Sequence, residues 1–314
     1  MKNYIFGIDI GGTSIKCGLF TSEGELLDKW EIPTNREDHG ANVPADIANA
    51  IKEKMAEKFI EKENVLGVGM GIPGPVLDDG TVLQCPNLGW GRMNVAQTMN
   101  DLTGLKIKAG NDANVAALGE MWKGGGRGYD TMVMITLGTG VGGGIILDGN
   151  ILCGTNGAAA EIGHMIVNPV EEDICGCGGH GHLEQYASAT GIVRMAKKAI
   201  AAGCEATSLT SFENLTAKDI FDEAKKGDKV ALDLVDTLGN YLALALSHVS
   251  ASVDPQAYVI GGGVSRAGAI LIDAIEKHYN NNIMKALQGK EFRLAELGND
   301  AGIYGAARML ISNK

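Results

Sequence analysis

The chain reads as a two-lobed α/β protein in which a mixed sheet flanked by helices occurs twice. Three observations predict this. Residues 131–151 repeat the opening pattern of a short apolar strand, a glycine-rich turn, a second strand and a tight turn. Strand-like runs alternate with amphipathic helical stretches over 314 residues, a length that suits two domains rather than one. Glycine is in excess, at 45 of 314 residues. That is about twice the usual ~7%, so many backbone positions need a positive φ or a close approach.

The elements follow in order. Residues 4–9, 15–20 and 26–32 alternate in a way that suits three strands joined by turns at Gly11-Gly12-Thr13 and Glu23-Gly24, an antiparallel meander. From 44 to 62, apolar residues recur every four positions at Ile47, Ile51, Met55 and Phe59, which predicts a helix. Residues 65–70 form a buried strand stopped by Gly71-Ile72-Pro73-Gly74-Pro75, 106–109 a short strand and 112–122 a helix. The second copy has strands at 134–137 and 145–147 around glycines 138–144. Helices are expected at 183–202, 217–225 and 229–252, a strand at 257–260 ending in Gly261-Gly262-Gly263, and helices at 267–279 and 301–311. The repeat places a small lobe at 1–112, with residues 301–314 packed on it, and a large lobe at 113–300.

Composition excludes several functions. With 45% hydrophobic and 21% charged residues the chain is neither disordered nor fibrous. Its net charge of −11 and the absence of a long basic run argue against nucleic acid. The apolar start turns polar too soon for a signal peptide. Residues 238–253 are interrupted by Asn240, Ser247, His248 and Ser250, short of the ~18 apolar residues of a span. A cytoplasmic protein with no membrane partner is expected. Cys17, Cys85, Cys153 and Cys204 are expected as reduced, mostly buried thiols, and His39 and His248 on surface or helix faces.

In Asp9-Ile10-Gly11-Gly12-Thr13-Ser14-Ile15-Lys16 a carboxylate ends a strand and two glycines let the next amides face a ligand. Amides and a hydroxyl can grip phosphate, and the carboxylate can hold a hydrated Mg²⁺. An ordinary hairpin turn would read the same way. The loop Gly138-Thr139-Gly140-Val141-Gly142-Gly143-Gly144 matches G-x-G-x-x-G, but the following residues read as strand rather than the helix that a dinucleotide fold requires. No P-loop is present either, because Gly289-Lys290 is followed by Glu291. Asn111-Asp112 ahead of an apolar helix reads both as an N-cap and as a carboxylate available for proton transfer.

Two strand–glycine–strand loops facing each other across a cleft, with a third glycine cluster at 261–263, resemble the superfamily of sugar kinases, Hsp70 and actin. Specific motifs resemble the ROK family (repressors, open reading frames and kinases), and within it the bacterial glucokinases. They are Asp9-Ile-Gly-Gly-Thr13 with Lys16, Gly71-Ile-Pro-Gly-Pro75, Asn87-Leu-Gly-Trp90, Asn111-Asp112-Ala-Asn114, Leu137-Gly-Thr-Gly-Val-Gly-Gly-Gly144, Glu161-Ile-Gly-His164 and Glu184. The resemblance implies an actin-like, ribonuclease H-like ATPase fold that phosphorylates glucose at its 6-hydroxyl and uses ATP and Mg²⁺. Asp112 would be the catalytic base, and Asn87, Asn111, Asp112, Glu161, His164 and Glu184 would contact the sugar. Asp9, Gly11, Gly12, Thr13, Lys16, Gly138, Thr139, Gly140, Gly261, Gly262 and Gly263 would hold ATP and its metal. Amides and carboxylates suit a ligand whose hydroxyls each want a donor and an acceptor. Taken singly, Glu161 and Glu184 also read as solvated glutamates.

His164, Cys175, Cys177 and His182 fall within nineteen residues, and two thiolates with two imidazoles suffice for tetrahedral Zn²⁺. The ROK pattern has a third cysteine where this chain has His182, and His180 is the rival for that place. The zinc would be structural, and His164 could bind it through one nitrogen while donating from the other. The resemblance also implies a homodimer or homotetramer. N-acetylmannosamine, N-acetylglucosamine and fructose kinases share these loops, and some relatives accept polyphosphate or ADP. The family's sugar-responsive repressors carry a DNA-binding domain ahead of the kinase-like part, where only eight residues precede Asp9 here.

Overall fold

The opening meander forms as its alternation dictates. In the computed structural model, which describes residues 3–311, β1 (Tyr4–Ile10), β2 (Ser14–Thr21) and β3 (Leu26–Pro33) pair antiparallel in sequence. Helix α1 (Val43–Glu57) leads to β4 (Val65–Ile72), which runs parallel to β1. A short hairpin, β5 (Thr81–Val82) and β6 (Met93–Asn94), precedes α2 (Val95–Thr103). Then come β7 (Ile107–Asn111), parallel to β4, and α3 (Asp112–Lys123). The sheet order is β3-β2-β1-β4-β7.

The second copy starts with β8 (Met132–Leu137), β9 (Val141–Leu147) and β10 (Asn150–Ile151). Helices α4 (Glu184–Ala187), α5 (Ala189–Ala201), α6 (Ala217–Lys225) and α7 (Lys229–Val253) follow, then β11 (Ala257–Gly261), α8 (Ala269–Asn282), β12 (Glu291–Leu294) and α9 (Ala301–Arg308). The order β10-β9-β8-β11-β12 reproduces that of the first sheet, with parallel pairing of β11 to both β8 and β12. The fold is a duplicated mixed α/β architecture.

Two units emerge: one holds the residues up to 131, 144–160 and from 296 onward, and the other 132–143 and 161–295. The boundary therefore differs from the expected 112/113. Helix α3 belongs to the first unit because it packs backbone-to-backbone on α9: a Cβ on Gly305 would collide with the Val115 carbonyl, and one on Gly119 with that of Ala301. Helix α9 lies equally close to the first sheet, where a Cβ on Gly7 or Gly69 would strike the carbonyls of Ile303 or Ala306. Much of the glycine excess is thus close approach. One face of this sheet packs Phe6, Ile8 and Met70 with Ile47 and Ile51 of α1 and Met99 of α2. The other packs Ile5 and Phe20 with Ile303, Ala307 and Leu310.

Several elements depart from the sequence reading. The helix expected at 183–202 breaks at Ser188, whose extended backbone (φ −80°, ψ 167°) ends α4 and caps α5. Its hydroxyl donates to the Glu184 carbonyl (2.7 Å) and accepts from Gly191 N–H (2.9 Å). Strand β12 escaped notice because only Phe292 of its four residues is buried. Helix α7 is long and apolar enough by composition to cross a membrane, yet 61% of that window is buried within the fold, as in a core helix.

Candidate active site

In the first unit, β1 delivers Asp9 and the strand-to-helix junction β7–α3 delivers Asp112. Gly71, at the end of β4, lies between them: its Cβ position is 3.5 Å from Asp9 Oδ1 and 3.6 Å from the Asp112 Cα. A Cβ on Gly302 of α9 would collide with the Asp9 carboxylate, so that carboxylate is seated against bare backbone. Burial raises the Asp9 pKa to about 6; Lys16 opposes the shift and the negative charge of Asp112 adds to it. Lys16 Nζ also donates to the Asn299 carbonyl at 3.0 Å.

The Gly11-Gly12-Thr13 turn does not use positive φ. It is closed by Gly11 N–H to the Ser14 carbonyl (3.0 Å) and tied to Thr34, which donates its hydroxyl to the Gly11 carbonyl (2.7 Å) and its N–H to that of Thr13 (3.0 Å). Thr34 was missed in the sequence because its role depends on the β2–β3 register. A Cβ at Gly12 would meet nothing within 4 Å, so the turn presents open backbone there.

Asn111 is the N-cap of α3: its Oδ1 accepts from the N–H groups of Ala113 (3.1 Å) and Asn114 (3.2 Å). Its Nδ2 donates to the Gly74 carbonyl and to Asp112 Oδ1, both at 3.1 Å. Asp112 is the first helical residue, and its Oδ1 also accepts from Ala113 N–H (2.8 Å). Capping thus falls mainly to Asn111, and the adjacent carboxylate is held in a fixed rotamer near the positive helix end. Asn87 is exposed at the tip of a loop closed by Cys85 and Trp90, whose indole N–H donates to the Gly40 carbonyl (2.9 Å).

In the second unit, the turn between β8 and β9 carries Gly138, Thr139 and Gly140 and runs into a strand. Gly138 N–H donates to the Gly140 carbonyl (2.9 Å), and Val141 N–H to Glu184 Oε2 (3.0 Å). Glu161 and His164 sit at the two ends of one 3₁₀ turn, with His164 Nε2 4.0 Å from Glu161 Oε2. Gly262 (φ +84°) lies so close to Leu137 that only glycine fits, while Gly263 is open. Gly263 lines a cavity of about 390 Å³ with Thr216, Phe221, Val264 and Arg266. The α6 residues were not anticipated, since nothing local distinguishes them from an ordinary amphipathic helix.

His164, Cys175, Cys177 and His182 converge, with their ligand atoms all within 4.8 Å of one another. His182 Nδ1 is 3.2 Å from Cys177 Sγ, and the two imidazoles meet edge-on at 5.3 Å. His180 is exposed and lies outside this group. His164 Nδ1 is buried and finds no partner among the described residues. An orphaned buried imidazole nitrogen beside two thiols and a second imidazole fits a tetrahedral Zn²⁺. Burial pushes the Cys175 thiol up and His182 down, the latter helped by His164 and His180. A bound cation would reverse the first effect by stabilising thiolate.

The loop is also held by a polar network. Arg194 donates to Glu171 Oε2 (2.9 Å), to Asp173 and to the Gln185 carbonyl (3.0 Å), and Tyr186 donates to Glu171 (2.6 Å). Gln185 accepts from His182 N–H (3.0 Å) and donates to the Asp173 carbonyl (2.9 Å). Burial acts against the Glu171 charge, but Arg194 and Tyr186 outweigh it and hold the carboxyl well below its usual range.

The model of the ROK family matches residues 5–313. The chain belongs to the ROK family. It is 44% identical to a glucokinase of Halalkalibacterium halodurans, over 95% of this chain and 92% of that protein. It is 32% identical to an N-acetylgalactosamine kinase of Shewanella, over 96% of this chain and 95% of that one. A ROK glucokinase of Streptomyces griseus, solved with glucose and AMPPNP, superposes with a TM-score of 0.72 at 35% identity, covering 98% of both chains. The actin-like ATPase fold expected of this ROK chain is therefore shared with a solved hexose kinase.

Proposed function

We propose that this ROK chain is an ATP-dependent glucokinase that transfers the γ-phosphoryl group to the 6-hydroxyl of glucose. The observation that carries this reading is the pair of carboxylates flanking Gly71, Asp9 ending a strand and Asp112 opening a helix. Asp112 accepts the proton of the attacking hydroxyl. Because an ordinary carboxylate is a weak base, it must bond the hydroxyl directly and take the proton late. Asp9 with the Gly11–Thr13 turn and Lys16 receives the phosphates and their Mg²⁺, which when bound neutralises charge on the transferring group. From the second unit, Gly138, Thr139, Gly140 and the Gly261–Gly263 cluster serve the nucleotide. Asn87, Asn111, Glu161, His164 and Glu184 serve the sugar hydroxyls. Zn²⁺ held by His164, Cys175, Cys177 and His182 would fix the orientation of His164 and the start of α4, a structural role. The 44% identity to the Halalkalibacterium glucokinase supports glucose; the Shewanella relative supports an N-acetylhexosamine kinase as the second reading.

ADP release from MgATP across glucose, mannose, fructose, N-acetylglucosamine, N-acetylgalactosamine and N-acetylmannosamine tests this. Glucose is expected to give the highest kcat/KM, and an acetamido sugar ahead of it would select the second reading. Asp112→Asn should lower kcat by about 10²–10⁴-fold with helix content unchanged, because Asn111 retains the cap. Full activity in that variant would remove Asp112 as the base.

A further inference from the structure

Three hydrogen bonds join the segment that begins with Glu184 to the glycine turn at 138–141. Glu184 Oε2 accepts from Val141 N–H (3.0 Å), Ala189 N–H donates to the Gly138 carbonyl (2.8 Å) and the Thr190 hydroxyl donates to the Thr139 carbonyl (2.7 Å). A Cβ on Gly140 would collide with the Glu184 carboxylate, so glycine there is what lets the carboxylate reach the turn. Gly163, between Glu161 and His164, lies equally tight against the Val141 carbonyl. The other Glu184 oxygen, Oε1, faces the Cys175 thiol at 3.8 Å.

We propose that Glu184 and Thr190 are positioning residues that couple sugar binding to nucleotide binding. This rests on the functional reading above. A carboxylate has about four acceptor sites. Glu184 can therefore hold the turn with Oε2 and receive a sugar hydroxyl with Oε1. A hydrogen bond to a charged group is among the stronger ones in a protein, and its loss leaves the turn free to leave the geometry that faces phosphate. Each ligand then finds the other's contact surface already ordered, and by linkage the gain is the same in both directions.

The test is calorimetric titration of glucose and of MgAMPPNP, each alone and each with the other saturating. The native protein is expected to show at least fivefold mutual enhancement. Glu184→Ala should weaken MgAMPPNP binding about tenfold with no sugar present, whereas Glu184→Gln, which keeps an acceptor for Val141 N–H, should bind MgAMPPNP normally. Thr190→Val should leave glucose affinity alone unchanged and cut the enhancement to below twofold. Thermal unfolding of each variant separates these effects from loss of fold. Normal MgAMPPNP binding by folded Glu184→Ala, or full enhancement in folded Thr190→Val, would overturn the coupling while leaving the glucokinase reading intact. A native protein that binds neither ligand would overturn both.

Discussion

The two units position their candidate residues by different means. In the first, Asp9 and Asp112 sit at the ends of regular elements; the packing around them is backbone against backbone through Gly69, Gly119 and Gly305, and the Asp9 carboxylate is seated against Gly302. In the second, His164, Cys175, Cys177 and His182 come from irregular chain, held by the Arg194–Glu171–Asp173 network and by tight glycine turns such as Gly181, which abuts the Asn168 carbonyl. A site built on element ends inherits the stiffness of sheet and helix. A site built on a loop needs its own fasteners, and a metal is the strongest one such a donor set can recruit.

Removing the metal should break this comparison most visibly. Chelation of the holoenzyme is expected to raise the glucose KM by about 10–100-fold, with recovery on adding Zn²⁺ but not Mg²⁺. Metal analysis must show zinc leaving in step with the KM; a metal-free protein with native KM would show that the polar network suffices. A similar challenge to the first unit is steric. Gly69→Ala drives a methyl into the Ala306 carbonyl and is expected to cost about 1–3 kcal/mol in urea unfolding. An unchanged midpoint would mean that α9 can move off the sheet freely.

A smaller effect sharpens the electrostatic side. The Asp9 pKa is raised to about 6 by burial and by Asp112, so the folded protein without metal favours the protonated acid between the ordinary carboxylate range and pH 6. The raised value means that this group stabilises the metal-free fold most at low pH and that the contribution is lost as pH rises through about 6. Metal binding has the opposite dependence: Mg²⁺ needs the carboxylate, and apparent MgATP affinity should fall up to tenfold per pH unit below about 6. Asp9→Asn should flatten that limb in a titration from pH 5 to 8, and a limb that persists in the variant would assign it elsewhere.

Much of the architecture was legible because it depends on local pattern. The repeat of strand, glycine turn and strand revealed the duplication, and the alternation in 4–32 located the meander almost to the residue. The cluster of His164, Cys175, Cys177 and His182 was legible for the same reason: C-x-C with flanking histidines concentrates rare side chains in a short span. That α3 groups with α9 was not legible, because the two helices lie nearly two hundred residues apart and no pattern within α3 encodes that partner. Strand β12 and the α6 wall of the cavity were illegible because exposure and amphipathicity are shared by countless ordinary segments.

The sequence by itself determined the type and order of most elements, the acidic residues at strand and helix ends, and the histidines and cysteines that gather into one cluster. Each follows from side-chain periodicity, capping chemistry or ligand identity. Only the tertiary structure decided that His182 rather than His180 joins the cluster, that Gly71 separates Asp9 from Asp112, and that Glu184 ties into the glycine turn. These are matters of direction and distance between residues far apart in the chain, and they are set by how sheets, helices and loops pack once the backbone has closed around them.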